Sequence, residues 1–194
     1  MTKEKLHQIF TNPPTLFTER LILRKICVAD ADDMFAYSSS EELTRYLLWD
    51  AHPDALYTEH YIRYLQERYA VGDFYDFAVT LKETGRMIGT VGFTSFDLPN
   101  RSAEIGYVIS PEYQNKGYAT ESVMKILSFG FEACELERIS AVCMKGNLAS
   151  LRIMEKCGLK REGLLRSAVF AKGKMRDVHL AAITKNDYFN KACT

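Results

Sequence analysis

The 194-residue sequence lacks the features that mark membrane, secreted and metal-binding proteins. It contains no apolar run close to the roughly 18 residues of a membrane helix, and its first residues are too polar for a signal peptide. The five cysteines include no C-x-x-C pair, and the four histidines follow no ligand spacing such as H-E-x-x-H. We therefore expect a cytoplasmic chain with reduced cysteines, no metal cofactor and no membrane partner.

The sequence also lacks an excess of charge of either sign. Lysine and arginine total 25, as do aspartate and glutamate, so the formal net charge is zero. A balanced chain has no general attraction to nucleic acid, and we expect no nucleic-acid partner. Internal repeats, low-complexity tracts and linkers are missing too. The sequence therefore predicts one domain over residues 1–194, in which residues 1–17, with the Pro13-Pro14 pair, form an N-terminal arm.

Hydrophobic spacing and turn residues predict a mixed α/β domain. Three strands separated by short turns indicate an antiparallel meander, and the third is followed by a helix and another strand. This strand–helix–strand order is a βαβ unit, whose two strands pair in parallel. The predicted elements are strands at 19–26, 77–81, 87–93, 103–109, 138–142, 161–170 and 175–183, and helices at 30–39, 56–71, 120–134 and 148–156.

The segment between the strand at 103–109 and the helix at 120–134 carries the strongest functional signal. It contains a proline near its start and the small residues Gly117 and Ala119 next to the helix N-terminus. Free backbone N–H groups and the positive end of the helix dipole can bind an anion there. Taken alone, the segment is equally consistent with a plain strand-to-helix turn. Lys116 precedes the glycine, which excludes a Walker loop.

Several motifs together resemble one known family. Gln114-x-x-Gly117-x-Ala119 resembles the Q/R-x-x-G-x-G/A loop of the GNAT acetyltransferases, and Asn147-x-x-Ser150 with the following 155–159 resembles their second signature. The opening segment 18–24 is similar to the start of the ribosomal-protein-alanine N-acetyltransferase branch. The resemblance covers about residues 17–187. It implies an α/β (α+β) fold with a mixed, mostly antiparallel central sheet, helices on both faces and a splayed parallel strand pair.

The resemblance also implies acetyl-CoA as co-substrate and a set of residues that bind it. Backbone groups in the loop are expected to hold the pyrophosphate, while strand residues in the splayed pair are expected to contact pantetheine and the thioester oxygen. Asn147 is expected to bind the pantetheine arm, although it equally suits a helix N-cap. The implied binding residues are Val108, Ile109, Gln114, Asn115, Lys116, Gly117, Tyr118, Ala119, Thr120 and Asn147.

Acetyl transfer to an amine needs a base for the amine and an acid for the leaving thiolate. Glu104 lies on the strand that lines the expected cleft and is the candidate base, although an ordinary solvated glutamate fits the position equally well. Many family members use a tyrosine as the acid where this sequence has Met154. Ser150, at the position that the resemblance links to a thiolate partner, is the alternative acid.

These features predict an acetyl-CoA-dependent N-acetyltransferase acting on a primary amine, with a protein N-terminal α-amino group as the leading acceptor. A small amine, such as a polyamine or aminoglycoside, is the alternative, as is a catalytically idle acyl-CoA-binding domain. The acceptor groove is expected near residues 46–49 and the hairpin tip at 170–175, where Trp49 suits the core equally well. Relatives are often dimers, so a homodimer is a further expectation. Acidic residues near the expected groove that would favour a small amine are Glu41, Glu42, Asp50 and Asp54.

Overall fold

The computed structural model describes residues 1–191, so Cys193 lies outside the described residues. Its framework is an eight-stranded sheet. The strands are β1 (Leu16–Phe17), β2 (Leu21–Arg24), β3 (Asp76–Leu81), β4 (Met87–Asp97), β5 (Ser102–Ile109), β6 (Arg138–Met144), β7 (Lys160–Ala171) and β8 (Lys174–Thr184). They lie in the order β1-β2-β3-β4-β5-β6-β8-β7, and neighbours are antiparallel except for the parallel pair β5 and β6. The predicted mixed, mostly antiparallel sheet is confirmed.

Helices pack on both faces of this sheet, as expected. The helices are α1 (Lys3–Thr11), α2 (Ala31–Ser38), α3 (Glu41–Thr44), α4 (Ala55–Ala70), α5 (Tyr118–Glu132), α6 (Leu148–Cys157) and α7 (Lys185–Lys191). The larger core cluster joins the sheet to α1, α5 and α6, and a second cluster joins it to α2 and α4. The terminal helix α7 was not predicted. In the part of the chain that the structure describes, no helix has both the length and the apolar character that crossing a membrane requires.

The N-terminal segment belongs to the core, so the expected arm is wrong for residues 3–11. Thr2 caps α1 by accepting a hydrogen bond from the backbone N–H of Lys5 at 3.2 Å. Leu6 and Phe10, four residues apart on one helix face, are both buried. The Phe10 ring centroid lies 4.8 Å from that of Tyr75. The proline pair was the misleading signal, because it follows the helix and leaves its packing intact.

Two glycines in β4 allow close approach of neighbouring strands. A Cβ at Gly89 would lie 2.1 Å from Val108 O on β5, and a Cβ at Gly92 would lie 2.4 Å from Asp76 Oδ1 on β3. Both distances are too short for any side chain. The absence of a side chain at Gly92 leaves room for the carboxylate of Asp76 on the neighbouring strand.

Candidate active site

The parallel strands β5 and β6 diverge at one end and leave a gap between them. Their pairing begins with Ser102 opposite Arg138 and ends with Ile105 opposite Ala141. Within the described residues, the rest of β5 pairs with β4 alone, and the rest of β6 pairs with β8 alone. The splayed pair is therefore confirmed, and it leaves backbone groups of both strands without a sheet partner.

The orientation of the β5 backbone determines which residue faces this gap. Ser110 N–H donates to Ile88 O at 2.8 Å, so it points toward β4. In an antiparallel pair the backbone groups of alternate residues face the same side. Those of Val108 therefore also point toward β4, whereas those of Ile109 point into the gap. The backbone N–H of Ile109 is therefore the one that faces the gap, whereas Val108 lines a cavity on the other side of the sheet.

The loop after β5 presents a row of unpaired backbone N–H groups. A 3-10 turn at Pro111–Tyr113 comes first, and Gly117, with φ of 85°, then directs the chain into α5. Gln114 donates from its side chain to Ile109 O at 3.0 Å, which fixes the loop to the strand end. The backbone N–H groups of residues 115–120 donate to no acceptor within residues 1–191. Such groups at a helix N-terminus bind phosphates, so the loop fits the pyrophosphate of acetyl-CoA.

Glu121 connects this loop to the segment that precedes β2. Its carboxylate accepts hydrogen bonds from Thr18 Oγ1 at 2.6 Å, Arg20 N–H at 2.8 Å and Arg20 Nε at 2.7 Å. Arg20 also donates to Lys116 O at 3.0 Å and stacks on the ring of Tyr118 at 4.5 Å. Burial raises the pKa of Glu121, but the bonds from Thr18 and Arg20 outweigh it and hold the pKa below its usual range. Sequence reasoning missed this connection because Thr18 and Glu121 are 103 positions apart in the sequence.

The start of α6 brings Asn147 and Ser150 to the same side of the gap as the loop. Asn147 Oδ1 accepts a hydrogen bond from Ser150 N–H at 3.1 Å, which is the N-cap role. The Tyr107 hydroxyl oxygen lies 2.9 Å from Ser150 Oγ and donates to Ser150 O at 3.0 Å. Burial raises the pKa of Tyr107, so this phenol keeps its proton at neutral pH.

Tyr107 was missed because it lies on a strand, where a tyrosine is an ordinary core residue. Met154, at the position of the family's usual tyrosine, is almost completely buried among apolar side chains. The structure therefore supplies a phenol beside Ser150 from β5 rather than from α6.

A cavity of about 460 Å³ opens on the opposite face of the sheet, between the α2–α4 region and strands β3 to β5. This volume is in the range of small-molecule sites. Asp76, Thr90 and Val108 line it from the sheet. Because Val108 adjoins Ile109 in the chain, the cavity lies beside the gap. The aromatic side chains that line it are Tyr37, Trp49, His52, Tyr57, Tyr61 and Phe74.

Asp76 places a carboxylate without a partner at this cavity. No hydrogen bond or ion pair joins its side chain to another residue in 1–191. Burial raises its pKa to about 7. A carboxylate that titrates near neutral pH, among aromatic side chains, can bind an ammonium group or accept a proton from an amine. The sequence analysis missed Asp76 because the predicted strand began one residue later, and aspartate is uncommon in strands.

Glu104, the base predicted from the sequence, lies on β5 outside the residues that line the cavity. Its Oε1 accepts a hydrogen bond from Thr94 Oγ1 at 3.2 Å. Burial raises the pKa of Glu104, and the Thr94 bond offsets part of that shift. Since a strand rises about 3.3 Å per residue, the Cα atoms of Glu104 and Ile109 are roughly 16 Å apart. Glu104 therefore lies far along β5 from the residue that faces the gap, whereas Asp76 lines the cavity beside that residue. The two carboxylates are separate candidates for the base.

Of the expected acceptor region, 46–49 and the hairpin tip at 170–175, Trp49 lines the cavity, whereas 46–48 and the tip do not. Lys172 at the tip donates to Trp49 O and to Asp50 Oδ1, both at 2.6 Å, and so joins the hairpin to this segment. His52 Nδ1 lies 2.8 Å from Thr58 Oγ1, and burial lowers the pKa of His52. Residues 1–191 contain no group of His, Cys, Asp or Glu side chains arranged to hold a metal ion.

Comparisons with known proteins agree with this geometry. A sequence profile described as "Acetyltransferase (GNAT) domain" matches residues 20–160. The chain is 36% identical over 174 residues to "Uncharacterized N-acetyltransferase p20" of Bacillus licheniformis, covering 90% of this chain and 98% of that protein. The crystal structure of an acetyltransferase (GNAT family) from Bacillus anthracis superposes with a TM-score of 0.79 at 28% identity, covering 89% of this chain and 99% of that one.

The named activities of other relatives differ in their acceptors. "Putative ribosomal N-acetyltransferase YdaF" of Bacillus subtilis is 26% identical and covers 88% of this chain and 94% of its own. Spermidine N(1)-acetyltransferase of Vibrio cholerae is 27% identical and covers 72% of this chain and 75% of its own. The relatives thus agree on the acetyl transfer and divide between a ribosomal and a polyamine acceptor.

Proposed function

The chain belongs to the GNAT family and is an acetyl-CoA-dependent N-acetyltransferase; we propose that its acceptor is the N-terminal α-amino group of a peptide or protein. The observation that carries the proposal is the unpaired carboxylate of Asp76 in the aromatic cavity beside Val108. This cavity has space for one terminal residue, and the carboxylate of Asp76 can bind the amine of that residue. The rest of the peptide then leaves the cavity on the side of the 45–50 segment.

The pKa of Asp76 favours an α-amino group over a lysine or polyamine amine. α-Amino groups titrate near 7.7–8.0, about one unit above the value of about 7 for Asp76, whereas a lysine amine titrates near 10.4. Proton transfer to Asp76 is therefore nearly balanced for an α-amino group. A lysine-like amine would transfer its proton to the same carboxylate a few hundredfold less favourably than an α-amino group, since its pKa is about 2.5 units higher.

The charges around the cavity also argue against a polyamine. A polyamine carries several positive charges and needs several unpaired acids. Asp50 is ion-paired with Lys172 at 2.6 Å, and Asp54 caps α4 by accepting from Tyr57 N–H at 2.7 Å. Neither Glu41 nor Glu42 lines the cavity. Asp76 is left as the one uncompensated acid among the lining residues, which suits a single amine.

On the donor side, acetyl-CoA supplies the thioester whose carbonyl carbon the amine attacks. The free N–H groups of residues 115–120 hold its pyrophosphate, and Ile109 N–H, which points into the gap, is placed to polarise a carbonyl there. Gln114, Lys116 and Asn147 remain proposed contacts of the same ligand. Each of these groups lies on the α5–α6 side of the sheet or at its gap.

Proton acceptance and proton donation take place on opposite sides of the sheet. Asp76 accepts the amine proton as the new C–N bond forms, and Ser150 Oγ donates a proton to the leaving sulfur as the C–S bond breaks. Asp76 then releases its proton to water and Ser150 regains one from water, which restores both groups. The Tyr107 hydroxyl, 2.9 Å from Ser150 Oγ, holds that serine in position and is a positioning residue. Glu104 stays the alternative base, acting through water.

The test is thiol release from acetyl-CoA with a panel of amines: peptides with a free N-terminus, the same peptides with an acetylated N-terminus and an internal lysine, spermidine, and an aminoglycoside. We expect turnover with the free N-termini alone. Turnover with spermidine or the aminoglycoside and not with peptides would overturn the α-amino proposal in favour of a small amine. Tight acetyl-CoA binding without turnover on any amine would instead support the idle domain.

A further inference from the structure

A second groove lies next to the proposed acceptor site and is strongly basic. It has a volume of about 440 Å³ and is lined by four cationic side chains and one acid, Asp177. We call it the basic groove; its cations are Arg45, Lys145, Lys174 and Arg176. Since the whole chain has a net charge of zero, this excess of positive charge is local.

Most of these cations have no acidic partner. Lys145 is 3.7 Å from Asp177, the one ion pair in the groove. Arg45, Lys174 and Arg176 form no ion pair with any of residues 1–191. Two of the three are held in place by other contacts: Arg45 stacks on the Tyr46 ring at 4.8 Å, and Arg176 Nε donates to Ala171 O at 3.2 Å.

The groove and the aromatic cavity share one wall, the 45–50 segment. Arg45 and Tyr46 line the groove, while Trp49 and Asp50 line the cavity. The bonds from Lys172 to Trp49 O and Asp50 Oδ1 hold this wall against the hairpin that carries Lys174 and Arg176. A peptide whose first residue occupies the cavity therefore leads its next residues toward the groove.

The spacing of the cations suits several separate carboxylates rather than one compact anion. Lys174 and Arg176 are alternate residues of β8, so they lie roughly 7 Å apart on one side of the strand. Alternate side chains of an extended peptide have the same spacing. A single phosphate would instead require the donors to converge on one point.

We propose that the basic groove binds acidic side chains that follow the N-terminal residue of the acceptor, so that the substrate is an acidic N-terminal segment. This inference rests on the proposed α-amino acetylation and adds the class of peptide. It also accounts for the lack of free acids around the cavity entrance, since the acidic charge is supplied by the substrate.

The test compares peptides that differ after their second residue. The Glu, Gln and Lys peptides begin with Ser-Ala and continue with four residues of the type that names them. A Ser-Ala amide, which is too short to reach the groove, reports the α-amino reaction alone. For the wild type we expect kcat/KM for the Glu peptide to exceed that for the Gln peptide about tenfold, since several partly exposed charge pairs contribute small increments each. The Lys peptide should be the poorest, and high salt should reduce the differences.

The variants Lys174→Glu and Arg176→Glu should abolish or reverse the ratio of Glu to Gln peptide. Lys3→Glu, an exposed charge on α1 far from the groove, is the matched control and should retain the ratio.

Equal kcat/KM for the Glu and Gln peptides, or a preference that survives both groove variants, overturns the proposal while the Ser-Ala amide still reports acetylation. If the Glu peptide shows no preference and adenosine monophosphate inhibits acetylation of the Gln peptide in the wild type but not in the two groove variants, the groove takes a nucleotide instead. Failure of all peptides, the amide included, overturns the underlying function as well.

Discussion

The donor and acceptor sides of this enzyme are constructed in different ways. The donor side is a loop of consecutive residues that uses backbone N–H groups, and a single carboxylate, Glu121, fixes its geometry. The acceptor side is a cavity lined by residues of two helices, three strands and three connecting segments, and Asp76 is one of the lining residues. In the proposed arrangement, backbone groups bind acetyl-CoA, which is the same in every reaction, whereas side chains around the acceptor can be exchanged to suit a particular amine. A change on one side should therefore leave the other nearly intact.

The largest effect should follow from Asp76→Asn, which removes the proposed proton acceptor. We expect kcat/KM for the amine to fall about 100- to 1000-fold, the usual contribution of a general base. In the wild type, kcat/KM should rise with pH up to about 7, where Asp76 loses its proton, and this limb should disappear in the variant. Acetyl-CoA affinity, measured by calorimetry, should stay the same.

Two controls separate Asp76 from other acids. Asp50→Asn, in the same cavity but exposed and paired with Lys172, should change kcat/KM less than threefold. Glu104→Gln tests the alternative base. If Glu104→Gln removes the pH-dependent limb and Asp76→Asn does not, the roles of these two carboxylates are reversed.

A smaller effect should follow from Glu121→Gln, and it should change acetyl-CoA affinity rather than turnover. This change weakens the charged bonds to Thr18 and Arg20, so the loop loses its fixed position against β2. We expect the Kd for acetyl-CoA to rise about tenfold, as for loss of a charge-assisted hydrogen bond, with kcat at saturating acetyl-CoA unchanged. Glu112→Gln, an exposed carboxylate in the same loop, is the matched control. A fall in kcat without a change in Kd would contradict the division between the two sides.

The Tyr107–Ser150 pair lies at the start of α6, on the donor side of the sheet, and should affect kcat alone. Ser150→Ala removes the proposed proton donor and Tyr107→Phe removes its support, and we expect each to lower kcat about tenfold. Because the two hydroxyls act as a unit, the double variant should be little worse than Ser150→Ala. Additive losses in a double-mutant cycle would show that Tyr107 acts independently of Ser150.

Asp76→Asn should also change the stability of the protein, and the sign of this change is opposite to that of its effect on activity. Folding raises the pKa of Asp76 from 3.8 to about 7, so the folded state binds an extra proton between these values and becomes less stable as the pH rises through them. Above pH 7 the full penalty is present. Asp76→Asn should therefore be more stable than the wild type at pH 8, by up to about 4 kcal/mol, which raises the Tm, with no gain at pH 4. Thermal unfolding at the two pH values measures the difference.

The same contrast explains how far the sequence predicts the structure. The loop and the meander follow from neighbouring residues, since Gly117 and the strand–helix order act locally, whereas the splayed strand pair was implied by the family resemblance. Asp76 depends on Gly92, a residue on another strand that leaves room for its carboxylate. Tyr107 gains its role from Ser150, 43 positions away. Such pairings arise from tertiary packing, so no spacing in the sequence reveals them.

The hydrogen bonds from Thr18 and Arg20 to Glu121 have a consequence for the dynamics of the sheet. β1 and β2 form its outer edge, and β1 comprises just two residues, so this edge is expected to open more readily than the central strands. A ligand that holds the loop also holds Glu121, and through it Thr18 and Arg20. Acetyl-CoA binding should therefore slow hydrogen–deuterium exchange at residues 16–24, in a strand that contributes no side chain to the reaction.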